Sequence, residues 1–178
     1  YMERYNLYRA MSPKMTRLRL DAPRPLVIPS AGSERAAKIA EAFASVAVTD
    51  RPNCIVVIGG DGHMLHMIRE HWRLRLPFVG INAGHRGYML SDVTDIPGPE
   101  ALRDLIAHQM PLLHVGYQAA GDGLYREDLA FNDAWVKEID QTPWMEVRID
   151  GQVKFARLVG DGLLVSTAAG STAYARSM

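Results

Sequence analysis

Cysteine is almost absent. Cys54 is the single one in 178 residues, and it sits inside an apolar run. With no second thiol, no disulfide can form within the chain, so a disulfide-stapled secreted scaffold is excluded and a reducing, cytoplasmic setting is expected. An excess of charge of either sign is also missing, since Lys plus Arg and Asp plus Glu number 20 each. Nucleic-acid binders usually carry a basic surplus or stripe, so no nucleic-acid partner is expected. No apolar run approaches the ~20 residues that span a bilayer, and no membrane association is expected. The opening stretch, YMERYNLYRAMSPKMTRLRL, lacks the clean apolar core of a signal peptide and reads as an arm or a peripheral segment. Internal repeats and low-complexity tracts are absent as well.

What remains is ordinary globular material, 48% apolar and 22% charged, long enough for one large domain or two small ones. Pro25 to Pro29 reads as a strand, and Ser33 as the cap of a helix with Ala36, Ile39, Ala40 and Phe43 on one face. Ile55 to Ile58 has the unbroken apolar run of a parallel strand covered on both sides. A helix from His63 to Trp72 and a strand from Pro77 to Ile81 follow, with Met64, Met67 and Met89 as core fillers. Gly98 and Pro99 read as the start of a third helix through Leu102, Leu105 and Ile106. Strand and helix therefore alternate over residues 1–109, which predicts an α/β domain with a parallel sheet. From residue 110 to 178 the pattern becomes β-rich, and a largely antiparallel second domain is expected. Its strands are read at Leu112–Gln118, Tyr125–Val136, Trp144–Ile149 and Val153–Leu158, with hairpin signals at Asp122-Gly123 and Asp150-Gly151. Trp72, Trp135 and Trp144 read as packing residues.

The chemistry concentrates where glycines follow strands. Gly59-Gly60-Asp61-Gly62 joins an apolar strand directly to a helix. Glycines there let another molecule approach the backbone, and the helix offers its free N–H groups to an anion. A carboxylate in such a loop would repel a phosphate unless it takes a proton from a hydroxyl nucleophile or holds a Mg²⁺ that the phosphates share. Asp-Gly is also a common turn, and Gly-Asp-Gly occurs at 60–62, 121–123 and 160–162, so the tripeptide alone decides little. The flanks separate the copies. The middle one lies between β-like runs and reads as a hairpin. The third opens GDGLLVSTAAGSTAY, in which Ser166, Thr167, Ser171 and Thr172 are candidate hydrogen-bond donors to phosphate or ribose oxygens, beside Gly170 and Tyr174. Asn82-Ala-Gly84-His-Arg86-Gly87-Tyr88 repeats the strand-then-glycine arrangement at the place where open α/β sheets bind ligands. His63, His66, His71 and His85 read as surface or pocket histidines rather than as a zinc site, for want of a nearby Cys partner.

Taken together, these segments resemble the NAD kinase family, which phosphorylates NAD to NADP with ATP or polyphosphate. The resemblance rests on Gly59-Gly60-Asp61-Gly62, Asn82-x-Gly84-x-x-Gly87-Tyr88, Asn132-Asp133, and Asp161-Gly162 through Ser171-Thr172-Ala173-Tyr174. It implies that Asp61 contacts the adenosine ribose and activates its 2′-hydroxyl. It implies that Gly59, Gly60, Asn82 and Gly84 form the phosphate loop. NAD contacts are implied for Gly62, Asn132, Asp133, Asp161, Ala169, Thr172, Ala173, Tyr174 and Ser177. A divalent cation, Mg²⁺ or another, is implied with the phosphoryl donor, and so is a homo-oligomer. No residue is assigned as a metal ligand. Four positions depart from the family pattern. Ala168 and Ala169 stand where a proline and a hydroxyl residue are usual, Asp133 where glutamate is usual, and Arg86 where an apolar residue is usual. Family members also continue past residue 178. Two other readings share some of these features: a lipid kinase of the diacylglycerol or sphingosine type, which also carries Gly-Gly-Asp-Gly, and a non-catalytic dinucleotide-binding module.

Overall fold

The computed structural model describes residues 14–84, 87–93, 97–119, 121, 123–137, 142–168 and 170. The chain divides after Met110 into two compact units. In the first, β1 (Lys14–Arg19) is followed by β2 (Pro25–Pro29), α1 (Glu34–Glu41), β3 (Cys54–Gly59), α2 (Asp61–His71), β4 (Phe78–Asn82) and β5 (Asp104–Gln109). Three of these strands form a parallel sheet in the order β2-β3-β4, in which Val27 faces Val56 and Val57 faces Gly80.

The apolar run at the sheet centre explains the layering. Cys54 to Ile58 are wholly buried, which requires cover on both faces of β3. On one face Ala36, Ile39 and Phe43 pack with Val56, Ile58 and Ile81. On the other, Met64 and Met67 of α2 pack with Ile55, Val57 and Leu90, and Met89 adds to that cluster. Ser33 caps α1 as its position suggests, its hydroxyl accepting from the Ala36 amide at 3.2 Å. Burial pushes the Cys54 thiol up to about 11.

The helix expected from Gly98 to Ile106 does not form. Pro99–Leu102 makes a single 3₁₀ turn, and the chain then extends into β5. Leu105 and Ala107 alternate inward while Ile106 stays 65% exposed, a period of two that overrides the helical spacing of Leu102, Leu105 and Ile106. The partner comes from the opening arm, whose residues 14–19 form β1 and pair antiparallel with β5, Leu18 opposite Leu105. Over those residues the opening stretch is therefore an ordered strand of the first unit.

An exposed Arg17–Asp104 ion pair crosses this ladder. The Arg17 guanidinium hydrogen-bonded to Asp104 holds its carboxyl below the usual carboxylate range. A carboxylate depressed on folding contributes stability that is present above its unfolded pKa and lost as pH falls through the folded value. The β1–β5 pairing is therefore expected to loosen only in strong acid, with a small effect because the pair is in water. Titrating the Asp104 carboxyl by NMR checks this; a midpoint at or above the ordinary Asp value contradicts it.

The second unit is antiparallel. It contains β6 (Leu113–Gln118), β7 (Tyr125–Ala130), β8 (Asp133–Lys137), β9 (Trp144–Ile149), β10 (Gln152–Val159) and β11 (Gly162–Ser166), paired as β6–β7, β9–β10 and β8–β11. The long run from Tyr125 to Val136 breaks at Phe131–Asn132 into two strands. Asp150 and Gly151 turn the β9–β10 hairpin with φ of +52° and +76°, and Ile149 faces Gln152 across it. Positive φ at both central residues is what a two-residue turn needs to match strand twist. The packing role expected for two of the tryptophans is corrected here. Trp135 and Trp144 are 53% and 66% exposed, and Lys137 lies over the Trp135 ring. Among the described residues no helix is long and apolar enough to cross a membrane.

Candidate functional site

In the first unit the predicted loop residues meet at the carboxyl ends of β3 and β4. The apolar strand β3 ends at Gly59, Gly60 takes the cap position, and α2 begins at Asp61. The close fit at Gly59 explains the lack of a side chain there. An added Cβ would lie 2.9 Å from His63 Cδ2 and 3.1 Å from Ser30 Cβ. Gly60 and Gly62 face open space instead, with nothing within 4 Å of a Cβ. A helix N-terminus beside open space is a place an anion can occupy.

Asp61 stands in the first turn of α2, where a negative charge suits the helix dipole. Its carboxylate points back toward the glycine turn after β4. Tyr88 donates its backbone N–H to Oδ1 and Oδ2 at 3.1 and 2.9 Å, and the Met89 amide donates to Oδ1 at 3.0 Å. An ionised carboxylate offers about four acceptor sites. Against the described residues, Oδ2 therefore keeps capacity for one further donor, such as a hydroxyl.

Asn82, the last residue of β4, is 3% exposed, and both its amide nitrogen and its amide oxygen have partners. Its Nδ2 donates to Asp92 Oδ1 at 2.5 Å, and its Oδ1 accepts from the Gly84 amide at 2.9 Å. Backbone links close the same segment. Asn82 N–H donates to the Ser91 carbonyl and Ser91 N–H to the Gly80 carbonyl, both at 2.9 Å. The structure thus brings Gly59, Gly60, Asp61, Asn82, Gly84 and Gly87 to one end of the sheet. Asp92 was not singled out from the sequence; its only signal was a carboxylate ten residues after the strand-terminal asparagine.

In the second unit another group converges. Asn132 and Asp133 lie where β7 turns into β8, and Asp133 faces Ser166 at the end of β11. The Thr167 amide donates to the Asn132 carbonyl at 2.8 Å. Gly170 passes so close that an added Cβ would lie 2.0 Å from the same carbonyl oxygen. Thr167, a candidate ligand donor on sequence, is corrected to a structural role. Its hydroxyl donates to the Phe131 carbonyl at 2.7 Å and accepts from the Gly170 amide at 3.0 Å, and the residue is 6% exposed. Asp161 is exposed just before β11, at the opposite end from Ser166, about 16 Å away at ~3.3 Å per strand residue. Ala169, Ser171, Thr172, Ala173, Tyr174, Ser177, His85 and Arg86 lie outside the described residues.

A parallel sheet whose central strand feeds a glycine loop and a helix, beside a second glycine turn on the next strand, defines an α/β domain with its candidate site at the carboxyl ends of the strands. Comparison with known proteins is more specific. Residues 4–110 match the family model described as the ATP-NAD kinase N-terminal domain. The chain is 34% identical to an NAD kinase of Cereibacter sphaeroides over 128 residues, 68% of this chain and 48% of that protein. It is 36% identical to an NAD kinase of Lysinibacillus sphaericus over 137 residues, 72% of this chain and 50% of that protein. A third match, an NAD kinase of Geobacillus stearothermophilus, is 30% identical over 178 residues, 90% of this chain and 64% of that protein. The chain belongs to the NAD kinase family, and it spans about half to two thirds of the length of these relatives.

Proposed function

We propose that the protein phosphorylates the 2′-hydroxyl of the adenosine ribose of NAD to give NADP, with ATP or polyphosphate as donor. The observation that carries this reading is the Gly59–Gly62 loop at the tip of β3, with Asp61 at the head of α2, in a chain of the NAD kinase family. Asp61 Oδ2 accepts the proton of the 2′-hydroxyl as the ribose oxygen attacks the terminal phosphorus of the donor. The bond to the bridging oxygen breaks, and the shortened donor leaves with its electron pair. Such transfer depends mostly on alignment and charge neutralisation. The helix N-terminus and the open space at Gly60 and Gly62 support an anion in that position. Asn132, Asp133, Asp161, Ala169, Thr172, Ala173, Tyr174 and Ser177 are assigned to the dinucleotide.

Among the described residues no group of three or more His, Cys, Asp or Glu side chains is gathered to hold a metal ion. The Asp61 and Asp92 carboxylates are engaged by Tyr88, Met89 and Asn82. These residues do not fit a protein-held Mg²⁺. The cation of this proposal arrives with the donor phosphates, a usual arrangement for Mg²⁺, and no step is assigned to it. A cytoplasmic homo-oligomer is the proposed working form.

Incubation with NAD, Mg²⁺ and ATP, and in parallel with polyphosphate, is expected to yield NADP. Binding of NAD with neither donor giving NADP would instead favour a dinucleotide-binding module. Phosphorylation of diacylglycerol or sphingosine in place of NAD would favour a lipid kinase.

A further inference from the structure

We propose that Asp61 is a positioning residue as well as the proton acceptor: its carboxylate clamps the segment around Tyr88 and Met89, so that this wall of the nucleotide site is built before any ligand arrives. The consequence for NAD rests on the function proposed above; the clamp itself does not. Asp61 and the two amides it accepts are 27 and 28 residues apart in sequence. Hydrogen bonds to an ionised acceptor are about twice as strong as neutral ones. Among the described residues, Tyr88 and Met89 are the crown positions tied to Asp61. Tyr88 is 92% exposed, so its ring does not anchor the segment. Leu90 is the buried foot, packed with Ile55, Val57, Met64 and Met67. The base is closed by the Ile81–Ser91 bridge and by the Asn82 side chain, which joins Gly84 to Asp92.

Crown and base are thus held by different groups, the crown by Asp61 and the base by Asn82 and Asp92. Gly87 fits between them. A Cβ there would lie 3.3 Å from Asp61 Oδ1 and 3.5 Å from Asn82 Cγ, which leaves the carboxylate its place against the turn. An aspartate serving only as a base would require an approach from the nucleotide side and nothing more. The three N–H contacts on its inner side give it a second task, one that does not need the carboxylate to change protonation.

Backbone amide exchange measured by NMR on the ligand-free protein tests the clamp directly. In Asp61→Ala, exchange at Tyr88 and Met89 is expected to quicken on the order of ten- to a hundredfold, as loss of a hydrogen bond to a charged group implies. In Asp61→Asn, which keeps an oxygen in the shared Oδ1 position but replaces Oδ2 with a donor, Met89 stays slow and Tyr88 quickens less than in Asp61→Ala. Exposed Asp92→Ala keeps the crown and is expected to quicken Gly84 instead, which reads the base separately should Asp61→Ala fail to fold. With NAD, Asp61→Ala is expected to lose affinity at least tenfold relative to Asp61→Asn. Unchanged exchange at Tyr88 and Met89 in Asp61→Ala overturns the proposal; equal NAD affinity in the two Asp61 variants overturns its consequence for NAD. If the parent protein makes no NADP, the reaction assignment fails while the exchange data still decide the clamp.

Discussion

Asp61→Asn is expected to lower the rate of NADP formation by roughly 10²–10⁴ while NAD affinity stays nearly unchanged. Asparagine has the same shape and keeps one acceptor oxygen. Placed where Oδ1 now sits, that oxygen still receives the Met89 amide, at 3.0 Å in the present structure, and the longer 3.1 Å contact from Tyr88. The new NH2 replaces the Oδ2 acceptor of the 2.9 Å Tyr88 contact. What asparagine loses is the ability to take a proton from the ribose hydroxyl. The alignment of the reacting groups, worth about 7–11 kcal/mol in a well-oriented site, stays in place. The effect therefore falls on turnover and leaves KM for NAD alone. Steady-state kinetics with equilibrium binding separates the two, and turnover within tenfold of the parent would remove Asp61 from the proton transfer.

Phe43→Ala is expected to destabilise the first unit by about 3–5 kcal/mol, as for other buried aromatics cut to a methyl group. That is a large part of the ~5–15 kcal/mol by which a domain is usually stable. Phe43 is fully buried just beyond the end of α1, in a cluster with Ile39, Val56, Ile58 and Ile81. Ile58 immediately precedes Gly59, and Ile81 immediately precedes Asn82. A cavity at Phe43 therefore undermines both strand tips that carry the site, and NAD affinity is expected to fall along with stability. Denaturant unfolding monitors the first effect; a loss under ~1 kcal/mol would mean that the site collapses around the missing ring.

The elements that could be read from the sequence are those whose signal is local. Ser33 marks its helix because the cap bond is made three residues away. The β3 run is legible because burial on both faces requires apolar side chains without alternation. Asp150-Gly151 is legible because the turn itself dictates those residue types. The failures are non-local. β5 looked helical because its partner is β1, about ninety residues earlier, and only that pairing gives Leu105 and Ala107 an inside. Trp135 and Trp144 of the second unit read as packing residues but stand exposed, because burial depends on what faces a ring.

The candidate site shows the same division. The glycine loops and the Asn132-Asp133 pair stand out as sequence strings, and the structure gathers Asn132 and Asp133 with Thr167 and Gly170. The inward use of the Thr167 hydroxyl, and the amides held by Asp61, are contacts between distant segments. No spacing rule announces them.

The lone thiol gives the first unit a built-in clock. Cys54 opens the central strand with no exposed surface, and its proton is held to about pH 11. Alkylating reagents attack the thiolate, so the closed molecule is silent to them at neutral pH. Every labelling event then records a moment when the sheet has parted. The labelling rate counts those openings at one position, with no engineered probe to disturb what it reports.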